Sequence, residues 1–98
     1  MHLSASEIKK LLRKWHFYKA QASTSEKEND LTKKINAIEK AIEFLDDVDR
    51  TIIRLKYFQG LEMDIVKSNV FLSRSVIYWR IDRAVNEISY IIANTVKS

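Results

Sequence analysis

Ninety-eight residues contain no proline and a single glycine, Gly60, so almost nothing in this chain obliges a helix to stop. The Asn-Gly and Asp-Gly dipeptides that close tight β-hairpins are missing as well. An all-helical fold is therefore expected. No internal repeat, low-complexity tract or Gly/Ser linker interrupts the sequence.

The spacing of apolar residues divides the chain into five expected helices. Ser4 with Glu7 three residues later fits a capping box, and Ile8, Leu11, Leu12, Trp15 and Ala22 predict a first helix over 5–22. Its other faces carry Lys9, Lys10, Arg13, Lys14 and Lys19. After a polar turn, Ser25 and Glu28 offer a second capping box, and Leu31, Ile35, Ile38, Ile42 and Leu45 form a narrow coiled-coil-like seam. Two heptads are too few to be stable alone, so the expected partner is the first helix, folded back as an antiparallel hairpin. Asp46 and Asp47 supply capping oxygens for a third helix over 47–59, with Val48, Ile52, Leu55 and Phe58 as its stripe and Gly60 as its left-handed cap. Met63, Val66 and Val70 outline a short fourth helix broken at Phe71 and Leu72. Ser73 caps a long last helix bearing Ile77, Ile81, Ala84, Ile88, Ile91 and Thr95 and reaching Val96. Residues 1–45 are thus expected to pack on a common core or to mediate dimerisation. Residues 46–98 complete one compact domain.

Apolar residues make up 46% and charged residues 31% of the chain, which fits a single small domain. Cysteine is absent and only His2 and His16 are present, so thiolate chemistry, disulfides, a histidine metal cage and a catalytic triad lack components. The expectation is no enzyme, no cofactor and no metal. No uncharged apolar run of 18 residues exists, and MHLSASEIKK runs straight into charge, so neither a membrane span nor a secretion signal is expected and a cytoplasmic setting is. The net charge is +4, distributed unevenly. Residues 1–22 hold five basic and one acidic group, 23–49 four and eight, and 50–98 eight and four. Basic ends therefore flank an acidic middle.

A short helix, a tight turn and a longer capped helix make a helix-turn-helix, whose second helix presents its first turns to the DNA major groove. With Ile77, Ile81 and Ala84 facing the core, Arg74, Ser75, Tyr78, Trp79 and Asp82 fall on the opposite side near the amino end. Arg74 is the leading base-reading residue, since a guanidinium bonds guanine O6 and N7 in bidentate fashion. Ser75, Tyr78 and Trp79 join it on the reading face. Ser73, Arg80, Arg83 and, on the preceding helix, Lys67 are expected at phosphates. Plainer readings stand beside these. Arg74 could pair with Asp64 or Glu62, and Arg83 with Glu87. Trp79 could edge a protein interface. The cationic residues of the first helix read slightly better as a solvated face than as a DNA footprint. Glu39, Glu43, Asp46, Asp47 and Asp49 are explained by capping at a helix end. The apolar excess of Tyr90, Ile92 and Val96 is covered by the first two helices or shared with a second subunit.

The segment from Asp46 to Val85 resembles region four of bacterial sigma factors. Leu55, Tyr57, Phe58, Gln59 and Gly60, with Arg50 ahead of them, are similar to the Leu-x-Tyr-x-x-Gly end of that family's helix. Ser73, Val76, Ile77, Arg80, Arg83 and Ala84 are similar to its recognition helix, and the spacing from Gly60 to Ser73 matches without a gap. Lys67 replaces a usual alanine, Glu62 a usual Ser or Thr cap, and Phe71 a frequent turn glycine. Among stand-alone proteins the chain is similar to phage and prophage late-gene regulators of the RinA and ArpU group. The resemblance implies a sequence-specific regulator of transcription in a bacterial host, with double-stranded DNA as partner, RNA polymerase as a further contact, and a homodimer placing two reading helices about one turn of DNA apart. Two rival readings are a small-terminase-like DNA-packaging protein and a helix-turn-helix-shaped module that binds polymerase or a host factor.

Overall fold

The computed structural model describes residues 1–24 and 29–95. The second capping box, Ser25 with Glu28, and the terminal Val96 lie outside them. Among the described residues the chain is helical without strands, as expected from its lack of breakers.

Helix α1 spans Ala5–Arg13. Ser4 Oγ accepts the Glu7 backbone N–H at 3.1 Å, and Leu3 and Ile8, the two positions of a hydrophobic staple, are both fully buried. Leu11 and Leu12 complete the buried face. The expected continuous first helix breaks at Lys14, whose φ of −122° and ψ of 41° leave the helical region, and α2 restarts over Trp15–Ser23. Trp15 is buried and stacks on Phe58, with ring centroids 4.6 Å apart and planes 19° from parallel. Such a pair adds about 0.5–1.5 kcal/mol beyond the area it buries, which offsets part of the cost of the broken helical turn.

Helix α3, Asp30–Ile42, is capped by Asn29, whose side chain accepts the Thr32 N–H at 2.9 Å. Its buried stripe is wider than the expected seam, because Ala37 and Ala41 join Ile35, Ile38 and Ile42. α2 lies alongside it, and Lys19 pairs with Glu39. Lys34 of α3 reaches back to Glu7 of α1 at 2.7 Å.

Helix α4, Asp47–Ile53, opens at Asp46, whose Oδ1 accepts the Asp49 N–H at 2.8 Å. The expected helix over 47–59 keeps its length but changes its winding. From Arg54 to Phe58 it is a π-helical turn, closed by the Gln59 N–H on the Arg54 carbonyl at 2.8 Å. The wider turn carries Leu55, Lys56, Tyr57 and Phe58 as a half-buried group. Gly60 follows with φ +69°, the left-handed position expected of it.

Helix α5, Met63–Val70, buries Met63 and Val66, and α6 runs from Arg74 to Thr95. Ile77, Ile81, Ala84, Val85, Ile88 and Ile92 of α6 are buried, and the helix packs on α1, α3, α4 and α5. Ser89 Oγ donates to the Leu3 carbonyl, tying the amino end of the chain to this central rod. No described helix is long and apolar enough to cross a membrane.

Candidate functional site

The feature that aims α6 is the three-residue link before it. Phe71 adopts φ 58°, ψ 40°, and its N–H closes the end of α5 on the Lys67 carbonyl at 2.9 Å. A side chain in the left-handed region costs about 1 kcal/mol or more. Phe71 is 88% exposed, so packing offsets little of that cost. Ser73 then starts α6: its Oγ accepts the Val76 N–H at 3.3 Å and its carbonyl accepts the Ile77 N–H at 3.0 Å.

Five expected contact residues come together on the surface formed by this start. Ser73, Arg74, Ser75, Tyr78 and Trp79 are all exposed on the first turns of α6. The Ser73 and Ser75 hydroxyl oxygens lie 3.5 Å apart. Arg74 stands 3.8 Å from Asp64 of α5, an exposed pair beyond hydrogen-bond length and readily exchanged for another acceptor. Trp79 is covered on one face by the Arg83 guanidinium, 4.9 Å from its ring centroid. Lys67 sits half-buried in the last turn of α5.

Arg80 and Arg83, expected at phosphates, turn towards α4 instead. Arg80 Nη1 donates to Asp49 Oδ1 and Arg83 Nη2 donates to Asp49 Oδ2, each at 3.0 Å. Arg83 also reaches Asp46 Oδ2 at 3.3 Å, with Arg80 at 3.8 Å from the same oxygen. Asp49 is 1% exposed, so its carboxylate depends on these two cations and on little water. Arg80 Nε is buried and makes no hydrogen bond among the described residues. The partner suggested for Arg83 by helical spacing, Glu87, is a minor influence beside Asp49 and Asp46. Asp46 is thus both the cap of α4 and a member of a four-residue charge network. The Asp49 N–H, opposed by partial burial and aided by Arg80 and Arg83, holds its carboxyl below the usual range.

Asp49 is the residue whose role composition and capping obscured. The signal was present: Asp49, Ile52 and Ile53 share one face of α4, and a carboxylate inside an apolar stripe needs a cation from another element. Arg80, between Ile77, Ile81 and Ala84, is the cation placed to answer it.

The opposite flank of α6 is built differently. Lys9 of α1 pairs with Asp82, and Lys56 Nζ lies 5.5 Å from the Tyr57 ring centroid and 5.8 Å from that of Tyr78. Burial pushes the Tyr57 hydroxyl up from its ordinary value, with Arg13 pulling the other way to a smaller extent. The cationic side of α1 therefore adjoins the exposed face of α6 at Tyr78. No group of three or more His, Cys, Asp or Glu side chains that could hold a metal ion occurs among the described residues. No protein-family model, curated protein or solved structure matches the chain.

Proposed function

We propose that the chain is a sequence-specific DNA-binding regulator of transcription, of the sigma region-four-like kind, that reads a short major-groove site with the first turns of α6. The observation that carries this reading is the outward projection of Arg74, Ser75, Tyr78 and Trp79 from the amino end of a long helix, held after a short helix and a tight left-handed link. An α-helix fits the major groove end-on in this way, and these side chains offer a bidentate donor, a hydroxyl and two aromatic surfaces to base edges. Ser73 and the amino end of α6 meet a phosphate in this reading. Lys67, one turn away on α5, supplies a second such contact.

In this reading Arg80 and Arg83 set the angle of α6 through Asp49 and Asp46. Recognition then belongs to residues before Arg80, and correct presentation belongs to residues after it. A homodimer would match a two-fold operator, and a polymerase contact would convert binding into activation. The chain is read as a binding protein without catalysis, a phage or prophage product acting in the bacterial cytoplasm.

Selection of bound sequences from random duplexes, followed by fluorescence anisotropy, tests the reading. Arg74→Ala should cost about 1–3 kcal/mol on the selected site and relax discrimination at one position. Equal weakening on selected and random DNA would remove Arg74 from base reading. Absence of binding by the unmodified protein at micromolar concentration and low salt would overturn the DNA-binding function itself.

A further inference from the structure

Between α1, the π-helical turn and the second turn of α6 lies a cleft of about 300 Å³, lined chiefly by Lys9, Arg13, Lys56, Tyr57, Tyr78 and Asp82. Three cations and two phenols thus surround one carboxylate. That carboxylate, Asp82, is engaged by Lys9 at the rim. Arg13 and Lys56 have no carboxylate partner among the described residues. Arg80 and Arg83 of α6 are compensated by Asp49 and Asp46, whereas on the α1 flank of the helix positive charge remains uncommitted in this cleft.

The backbone explains why the cations converge. Lys56 and Tyr57 belong to the π-helical turn, a rare winding that recurs at functional sites. Arg13 is the last residue of α1, immediately before the break at Lys14. A second hollow of about 230 Å³ shares Arg13, Lys56 and Tyr57 with the first and adds Lys14 and His16. The two hollows thus share one basic wall formed by Arg13, Lys56 and Tyr57.

We propose that this cleft is a phosphate-binding site, with a backbone phosphate of the duplex read by α6 as its occupant. A guanidinium fork, the Lys56 ammonium and two hydroxyl donors, with Lys9 held by Asp82 at the rim, suit an oxyanion with several acceptor oxygens, as along a nucleic-acid strand. Tyr78 links the two surfaces, since it lines the cleft and belongs to the exposed face of α6. A strand whose bases meet Arg74 and Ser75 would pass the cleft on the α1 side. The choice of occupant rests on the DNA-binding reading, whereas the phosphate chemistry of the cleft stands without it.

The test has two arms. In the first, duplex binding is measured against salt for the unmodified protein and for an Arg13→Gln/Lys56→Gln double variant. Arg13 is exposed and Lys56 half-buried, and thermal melting verifies that the variant folds. The expected result is a salt slope lower by about two, with similar loss on every sequence, and recovery in an Arg13→Lys/Lys56→Arg variant. Tight DNA binding with an unchanged slope in the Gln variant would overturn the cleft while leaving the DNA reading intact. In the second arm, inorganic phosphate is titrated into the ¹⁵N-labelled protein. If the unmodified protein binds no duplex, the DNA reading fails. Shifts confined to Arg13, Lys56, Tyr57 and Tyr78 and lost in the Gln variant would then uphold a phosphate site filled by a free phosphate. Absence of those shifts would overturn it.

Discussion

Two sets of cations flank the amino half of α6, and their fates differ. On the α4 side, Arg80 and Arg83 grip a buried carboxylate and are consumed in holding two helices together. On the α1 side, Arg13 and Lys56 face a cleft with no carboxylate of their own. The sequence reading assigns phosphates to Arg80 and Arg83, a solvated face to Arg13 and no role to Lys56. What separates them is whether the opposing element presents an acid, and the contrast teaches that a basic residue becomes available to a ligand only when the fold leaves it uncompensated.

The sharpest way to break this contrast is at Asp49. Asp49→Ala should cost about 3–5 kcal/mol in unfolding free energy, because Arg80 would be left half-buried without its acceptor. Arg13→Gln, by comparison, should stay within about 0.5 kcal/mol of the unmodified protein. Denaturant titrations of the two variants make the measurement, and similar losses would erase the distinction between the flanks. A smaller effect is expected at Arg83. Replacing it with Ala leaves Asp49 with Arg80 alone, which should lower stability by less than Asp49→Ala does. The same change should move the salt slope of DNA binding less than Arg13→Gln does. The reverse order would restore Arg83 as a phosphate contact.

Next in size is the link that aims α6. Phe71→Gly should raise stability by about 0.5–1 kcal/mol, since glycine adopts the left-handed conformation without strain and the lost side chain is almost wholly exposed. A drop in melting temperature would mean that the Phe71 ring packs against something it does not touch in the isolated chain. The smallest effect concerns acid. Asp46 has a folded pKa below its unfolded value of about 3.9, so its contribution is complete above that value and fades as pH falls through the folded one. Asp46→Asn keeps a capping acceptor and removes the charge. Its stability should therefore fall less steeply than that of the unmodified protein between about pH 5 and pH 2. Parallel curves would detach Asp46 from the network.

Much of the fold could be read from apolar spacing, because most of the buried residues fall on the faces that helical periodicity marks. Ile8, Ile38, Ile52, Val66, Ile77 and Ile88 were all placed on core faces by that rule, and each is fully or almost fully buried. Val48 and Thr95, expected on core stripes, are instead exposed, and the two changes of winding, the break at Lys14 and the π-helical turn, share one cause. Both bring Trp15 and Phe58 into contact, a demand of tertiary packing that local spacing does not carry. The outward set from Ser73 to Trp79 was legible because the core stripe of α6 fixes its opposite side. Arg80 was not, since its partner lies 31 residues earlier in the chain. The cleft was hidden for the same reason: Lys9, Lys56 and Tyr78 meet only after three separate segments have packed.

The π-helical turn has a consequence for how the molecule could change. It holds one residue more than an ordinary helical turn would, so losing a single amino acid between Arg54 and Phe58 could be absorbed by relaxation to regular α-helix. Ile52 and Ile53 would keep their places beneath α6. Gln59 and the residues after it would keep their register as well, while Lys56 and Tyr57, inside the turn, would shift around the axis and away from the cleft. A one-codon deletion there would separate architecture from ligand capture more cleanly than most point changes.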